Sequence, residues 1–281
     1  MDRRVLGSVG CAALTLGLVA GVTTPVTAAG VAAEDEARLA GRTVHVVSAP
    51  SDVTEGDRYP VVVKVGAAAK AKKVQIQVRT QDIYGNPVWE NAKTKKIRGQ
   101  SRQKFTLVAG PTNPLKERAL VTYKDGQKVR SQAFRVTTWR WFDLPLFSSY
   151  YYTSNTYSSR FATFAVAGSA YTGWFGGGTR ETAWESRHTP GRHCTAFRGV
   201  AGVTDSSMDG SSALITLVAD ETSIAYQSPV LTPGTAHPFE VSLARPYRIA
   251  VQARLTSTSR ATPAIGAPQL LCDYATGEDP S

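Results

Sequence analysis

The fold is decided by the stretch that begins at His193 and ends at Cys272. Three of its segments read FRGVAGVTD at 197–205, ALITLVAD at 213–220 and PYRIAVQARL at 246–255. Each segment is short, is rich in β-branched residues or alternates apolar with polar residues, and is bounded by Gly, Asp, Ser or Pro. This pattern is typical of antiparallel strands. The sequence therefore predicts an all-β sandwich over this part of the chain.

Cysteine usage predicts a disulfide and an exported protein. The chain has three cysteines, Cys11, Cys194 and Cys272. Residues 1–29 have the pattern of a secretory signal peptide, with Arg3 and Arg4 before an apolar stretch and small residues at the cleavage site. Cleavage removes Cys11, and an even pair in an exported chain predicts that Cys194 and Cys272 form a disulfide. We expect this disulfide to join the first and last strands of the sandwich.

Two other interpretations of the N-terminus fit less well. A lipoprotein signal needs a Leu about three residues before the cysteine, and Ser8 stands there. A retained membrane anchor is opposed by four glycines that interrupt the apolar run, and no later window approaches the 18 apolar residues of a span. The predicted localisation is therefore secreted, extracellular or cell-wall associated, with no membrane span in the mature chain.

The charge is divided unequally along the chain and predicts two domains. Residues 41–140 contain 20 Lys and Arg against 7 Asp and Glu, whereas residues 141–281 contain 9 against 11 and no lysine. We predict a flexible lead-in over 30–42, a basic β-sandwich over 43–138, and a second β-sandwich over 141–276, with a boundary near Trp139–Phe142.

The first predicted domain also has the pattern of short antiparallel strands. Lys73–Thr80 alternates apolar with polar residues, and Asp125-Gly126 is typical of a tight hairpin turn. Short strands recur with turns about every ten residues, and in this spacing the domain resembles the immunoglobulin-like (Ig-like) accessory domains of bacterial secreted proteins. The Cys…Trp…Cys pattern is absent, which excludes an antibody-type domain.

The basic residues of this domain allow two interpretations. They form clusters at Lys70, Lys72 and Lys73, at Lys93, Lys95, Lys96 and Arg98, and at Arg102, Lys104, Lys116 and Arg118. They either form a solvated face and charged edge strands that resist aggregation, or attract an anionic wall polymer, acidic polysaccharide or phospholipid surface. Nucleic acid is not expected as a partner, because no recognition motif is present.

The second predicted domain is rich in aromatic residues. They occur at its entry over 139–152 and in the segment Ser169–Gly178, which contains Tyr171, Trp174 and Phe175 and is predicted to be a loop. Such rings either stack on sugar rings or fill the core and the space between the domains.

Five motifs follow one another in this domain with a particular order and spacing: WESRH (184–188), CTAF (194–197), GVTD (202–205), ITLVAD (215–220) and SPVL (228–231). In this order and spacing, residues 141–274 resemble the NPCBM family of carbohydrate-binding β-sandwiches. This resemblance implies a jelly-roll type sandwich that binds a sugar. Two positions depart from the family pattern, Thr204 and Glu221, and residues 264–269 lack the Asp and Trp that family members carry before the last strand. No sugar contact is therefore transferred from that segment.

Catalytic and metal chemistry are not indicated. No Gly-x-Ser-x-Gly elbow occurs, and no pair of carboxylates has a spacing that marks a glycosidase. His188, His193 and Cys194 form a metal-like cluster, but a disulfide at Cys194 leaves no tetrahedral set. We predict no cofactor and no metal; the run Asp205–Gly210 is interpreted as a plain turn, with calcium as the open alternative.

The sequence thus predicts a secreted, non-catalytic protein that binds a carbohydrate or a cell-wall polysaccharide. The predicted ligand-binding residues are Trp174, Trp184, Arg187, His188 and Asp205. The alternative is a structural or interaction protein of the cell envelope without sugar specificity. The oligomeric state is not predicted.

Overall fold

The structure is a computed structural model that describes residues 41–147, 149–151, 160–177, 183–275 and 277–278. The described residues from Arg42 onward belong to one compact unit. The predicted signal peptide and nearly all of the lead-in lie outside the described residues. Within the described part, no helix has the length and apolar character needed to cross a membrane.

Nine strands form an N-terminal set. They are β1 (Val44–Ser48), β2 (Asp52–Thr54), β3 (Arg58–Val65), β4 (Ala71–Gln81), β5 (Pro87–Lys96), β6 (Arg102–Val108), β7 (Leu115–Tyr123), β8 (Lys128–Arg130) and β9 (Phe134–Asp143). Short 3-10 helices occupy Ala68–Lys70 and Leu144–Leu146. One sheet has the order β1-β3-β6, and the other runs β5-β4-β7-β9. Apolar side chains of both sheets, including Val61, Ile76, Phe105 and Val121, are fully buried in one core between them.

Ten strands form a C-terminal set. They are β10 (Ser149–Tyr151), β11 (Arg160–Val166), β12 (Ser169–Phe175), β13 (Trp184–His188), β14 (Cys194–Val203), β15 (Ala213–Ala219), β16 (Ser223–Gln227), β17 (Ala236–Ser242), β18 (Ile249–Leu255) and β19 (Pro263–Cys272). One sheet has the order β10-β13-β18-β15-β16; in the other, β19 pairs with β12 and β14, and β14 pairs with β17. Trp184, Phe197, Ile215 and Leu270 belong to the core between these sheets.

The predicted all-β fold class is confirmed. The alternation of the sequence explains it, because successive residues of a strand point to opposite faces and one face of each sheet is apolar. In β3, for example, Val61, Val63 and Val65 are buried while Lys64 is exposed. The specific Ig-like and NPCBM assignments remain predictions.

Strand β9 belongs to both sets. Its residues 134–136 pair with β7, residues 137–139 pair in parallel with β2, and residues 140–143 pair with β19. The predicted boundary at Trp139–Phe142 therefore lies inside a strand, and the sheet is continuous across it. The Asn113 side chain fastens this junction: it donates to the carbonyl oxygens of Asp273 and Tyr274 and accepts from the Thr138 amide.

The predicted disulfide is confirmed, and its position is partly corrected. Cys194 and Cys272 are bonded and stand opposite each other in the pairing of β14 with β19. β19 is the last strand, as predicted. β14 is not the first, because β10 to β13 precede it in the C-terminal set.

The predicted loop over Ser169–Gly178 is wrong for residues 169–175, which form β12 in a hairpin with β11. The glycines there serve close packing rather than a loop. Gly173 pairs with Gly266 of β19, and a Cβ atom on Gly173 would lie 2.0 Å from the Ile265 carbonyl oxygen. Only glycine permits this approach.

Two lysines of the second basic cluster lie on edge strand β5 and face the neighbouring sheet. Lys93 donates from Nζ to the Thr106 carbonyl oxygen at 2.8 Å, and Lys95 donates to that of Lys104. Both acceptors belong to β6, the edge strand of the other sheet. These contacts place the two lysines at the sheet edges, and their role as charged protection of those edges stays a prediction.

Candidate functional site

The candidate site is the outer face of the sheet that contains β9, β19, β14 and β17. Leu270 and Cys272 of β19 are in the core, so the alternation directs Gln269 and Leu271 outward. The same alternation along β9 buries Phe142 against the core and directs Trp141 and Asp143 outward. The four strands thus present a row of side chains on a shared surface.

The centre of this face is a row of four side chains, which we call the polar row. It consists of Asp143 on β9, Gln269 on β19, Arg198 on β14 and Glu240 on β17, each opposite the next in the strand register. Gln269 Nε2 donates to Asp143 Oδ1 at 2.7 Å. Arg198 donates from Nε and Nη2 to Gln269 Oε1 at 2.9 and 2.7 Å.

Two tryptophans of β9 lie beside the polar row, and an arginine guanidinium packs over the ring of each. The Arg198 guanidinium lies 4.0 Å from the centre of the Trp141 ring, and that of Arg245 lies 4.9 Å from the centre of the Trp139 ring. Both indoles are half-buried. Arg245 is also 3.5 Å from Asp273. These contacts hold both guanidinium groups over the two indole rings.

A shallow groove of about 510 Å³ runs along the β17 side of the polar row. Its walls include Arg198, Gln269 and Glu240, and Val200 and Pro238 add apolar surface. An arginine has five donors and a carboxylate only acceptors. The row therefore offers hydrogen-bond donors and acceptors in alternation over four adjacent strands, with apolar surface next to them.

Three of the predicted ligand-binding residues lie in the interior. Trp184 is fully buried, and its Nε1 donates to the Pro263 carbonyl oxygen at 2.9 Å. His188 is 1% exposed and hydrogen bonds to the Ser186 hydroxyl at 2.7 Å. Burial lowers the pKa of His188 to about 4, so the imidazole is neutral at pH 7. Trp174 packs near it, with ring centroids 6.2 Å apart. A ligand would have to open the core to reach any of the three.

The other two predicted residues lie apart from them. Arg187 is on the outward face of β13 and donates to Glu185 at 2.7 Å. Asp205 accepts hydrogen bonds from the amides of Ala167 and Gly168 at 2.7 and 2.9 Å, and so caps the turn between β11 and β12. The structure therefore brings together Trp174 and His188 but not the whole set, whose role in binding stays a prediction.

The outer face of the opposite sheet carries a second polar arrangement. Glu185 is opposite Gln252, which is opposite Thr216, which is opposite Gln227. Glu185 Oε1 accepts from Gln252 as well as from Arg187. Its cleft, about 300 Å³, is smaller than the groove beside the polar row. Glu185 is also only 7% exposed, so its carboxylate has little surface left for a ligand.

Nothing among the sequence motifs points to the polar row. Its members come from four strands, and residues 143 and 269 are 126 positions apart. Gln269 could have been placed on the outward face, because it alternates with the apolar residues around it. Its partners could not, since they depend on which strands are neighbours and on their register.

No protein-family model matches the chain, and no curated protein matches it. The solved structures to which this chain is similar include the CBM51-2 and INT domains of Clostridium perfringens ZmpB, at 13% identity and TM-score 0.40. The match covers 76% of this chain and 43% of that chain. Another is CBM51 from Clostridium perfringens GH95 in complex with methyl-galactose, at 12% identity and TM-score 0.37, covering 46% of this chain and 99% of that one. A third is the SusE-like protein BT2857, at 9% identity and TM-score 0.28, covering 80% and 96%. We transfer no residue role at these values.

Proposed function

We propose that this chain is a secreted, non-catalytic binding protein that recognises a carbohydrate or a cell-wall polysaccharide on the outer face of β9, β19, β14 and β17. The observation that carries the proposal is the polar row. A sugar hydroxyl both donates and accepts hydrogen bonds, and the row provides both functions side by side. Asp143, Gln269 and Arg198 are held by one another and by Trp141, so these three side chains lose little conformational entropy when a ligand binds.

The shape of the face favours a chain over a small molecule. A small ligand is usually enclosed in a concave, mostly apolar pocket. The polar row instead lies on an open sheet surface with a shallow groove beside it. Such a surface is accessible to an internal segment of a polysaccharide, which has no free end to insert into a pocket.

Export is supported by the disulfide, because disulfides persist in oxidising compartments. The signal-peptide pattern of residues 1–29 is the second support. The proposed location is therefore outside the cell or in the cell wall, where polysaccharides are abundant.

The test is a glycan array with the full mature chain, followed by calorimetric titration of the best ligand. We expect Gln269→Ala and Glu240→Ala each to weaken binding about tenfold or more, because each removes a hydrogen-bonding group from the row. Gln227→Ala, on the outer face of the opposite sheet, is the matched control and should bind like the wild type. An array without any ligand, or row variants with unchanged affinity, would contradict the proposal.

One observation favours the alternative of an envelope interaction protein without sugar specificity. The indoles of Trp139 and Trp141 each have an arginine over one face, which leaves less ring surface for stacking on a sugar. In that case the same face would contact a protein. Sugars would then not raise the melting temperature, whereas cell envelopes stripped of polysaccharide would still retain the chain.

A further inference from the structure

The outer face that carries the polar row does not end with the C-terminal set. β9 crosses into the N-terminal set, and Val136 is buried in the core of that set, so Arg135 and Thr137 point outward. Trp139, Trp141 and Asp143 follow at every second position on the same face. Arg135 and Asp143 are thus the two ends of one surface, about 26 Å apart at 3.3 Å per residue.

At the Arg135 end the sheet carries three cations side by side, which we call the cationic row. Arg135 on β9 is directly opposite Lys116 on β7. The pairing of β4 with β7 ends at Val78 opposite Glu117, and Arg79 and Lys116 are the next residues of the two strands on this side. Arg79 is in turn opposite Trp89 on β5. A groove of about 630 Å³ is lined by Arg79 and Lys116 together with Thr80, Gln81 and Thr112.

Among the described residues, no carboxylate forms an ion pair with the cationic row, that is, with Arg79, Lys116 or Arg135. Asp52 of β2, opposite Thr137, contacts the hydroxyl of Ser51. Like charges directly opposite each other in a sheet are destabilising. The row therefore costs free energy in the unbound protein, and an anion placed on it would remove that cost.

Protection of a sheet edge does not explain the cationic row. β5 is the edge strand, and the Lys93 and Lys95 contacts already cover the gap between β5 and β6. β4, β7 and β9 are interior strands, because each pairs with a strand on both sides in the order β19-β9-β7-β4-β5. Charges on their outer face contribute nothing to edge protection, which leaves solubility or the binding of an anion.

We propose that the bound chain extends along β9 from the polar row to the cationic row, and that it is an acidic polysaccharide whose sugar carboxylates pair with Arg79, Lys116 and Arg135. This inference rests on the proposed function, since the polar row must bind the same polymer. A sugar that carries a carboxylate retains the ring hydroxyls that the polar row can bind. One polymer of such sugars therefore satisfies both rows, whereas a polyol phosphate without sugar rings satisfies only the cationic row.

The experiment uses the full mature chain and three acidic polysaccharides: polygalacturonate, alginate and hyaluronan. Each is compared with the same polymer after its carboxylates have been reduced to primary alcohols. We expect at least one acidic polymer to bind about tenfold more tightly than its reduced form at low salt, and this preference to shrink as salt rises. Polyglycerol phosphate serves as the phosphate probe.

The decisive variant is Arg79→Gln/Lys116→Gln/Arg135→Gln. We expect it to bind the acidic and the reduced polymer with equal affinity, within about twofold. Arg58→Gln/Lys64→Gln/Arg102→Gln also removes two arginines and one lysine, but from other exposed positions, on β3 and β6. This matched control should keep the preference for the acidic polymer.

The outcomes separate the two proposals. Equal binding of acidic and reduced polymers by the wild type, or an unchanged preference in the cationic-row variant, would overturn the inference while the proposed function stands. Loss of the preference in the control variant as well would show attraction to net charge alone and would also overturn it. Tighter binding of polyglycerol phosphate than of every polysaccharide would overturn the assignment to sugar carboxylates. Failure of the polar-row variants to weaken binding of any polymer would overturn the proposed function itself.

Discussion

At the scale of single residues, His188 connects burial to pH dependence. Its imidazole is 1% exposed, and burial lowers its pKa from 6.5 to about 4. The folded state therefore binds this proton less readily than the unfolded state. Its contribution to stability is fully present above pH 6.5 and is lost as the pH falls from 6.5 towards 4.

We predict that the free energy of unfolding falls by about 3 kcal/mol between pH 7 and pH 4 because of His188 alone. His188→Gln removes the titrating group, so this part of the pH dependence should disappear even if the variant is less stable at pH 7. Urea unfolding of both proteins at several pH values measures the difference. Parallel curves for the two proteins over this range would refute the prediction.

The pH dependence of stability that we expect from Glu117 has the opposite sign. Glu117 is 1% exposed, accepts a hydrogen bond from the Tyr59 hydroxyl at 2.7 Å, and its Oε2 has no partner among the described residues. Burial raises the pKa of Glu117, and the Tyr59 hydrogen bond only partly offsets this. The contribution of Glu117 to the free energy of unfolding is fully present below its pKa in the unfolded state. It is lost as the pH rises through the higher pKa that Glu117 has in the folded state.

We therefore expect Glu117→Gln to stabilise the protein at pH 8, by about 1–3 kcal/mol, because the amide can accept the Tyr59 hydrogen bond without a buried charge. At pH 3, where the carboxyl is protonated in both states, the gain should vanish. Thermal unfolding at the two pH values tests this. A variant that is equally destabilised at both would show that shape, not charge, dominates at this position.

At the scale of elements, the edge strands β5 and β6 lie beside each other, and the two lysines on β5 bind the backbone carbonyls of β6. We predict that Lys93→Gln/Lys95→Gln exposes these carbonyls and causes concentration-dependent association through the sheet edges. Light scattering after size-exclusion chromatography measures the mass. Lys64→Gln/Lys128→Gln carries the same loss of charge at positions without such contacts and should remain unchanged. Equal behaviour of the two variants would refute the edge role.

The sequence predicts individual strands and the disulfide better than it predicts the candidate site. Alternation identified strands such as Lys73–Thr80, and cysteine arithmetic identified the bond between Cys194 and Cys272. Segment 169–175 differs from the prediction because its glycines indicate a loop, whereas the structure needs glycine where β12 and β19 meet closely.

The candidate site was less predictable for a physical reason. A row across a sheet depends on strand order and register, which are set by the packing of the whole chain. The aromatic residues that a sequence pattern favours for binding, such as Trp174 and Trp184, also fill cores, and here the core contains them. The polar row consists of Asp, Gln, Arg and Glu, which are ordinary on any surface when viewed one at a time.

At the scale of the whole molecule, Asn113 joins distant parts of the chain. We predict that Asn113→Ala lowers the free energy of unfolding by about 2–4 kcal/mol, because it leaves the Thr138 amide and two carbonyl oxygens near the end of β19 without this partner. Gln132→Ala, at an exposed position, should change it by less than about 0.5 kcal/mol. Calorimetry of both variants provides the comparison. A small effect of Asn113→Ala would indicate that β9 alone holds the junction.

The shared strand also limits how this molecule can be dissected. A gene fragment that starts at residue 141 would keep β19 but would lack the first seven residues of β9, and a fragment that ends at residue 138 would lose the last five. Either product would expose a strand edge that has lost its pairing partner, and would be prone to aggregate into inclusion bodies. Recombinant expression of either half should therefore retain the whole of 134–143. A half without this strand that fails to express would not show that the same half is unstable within the full chain.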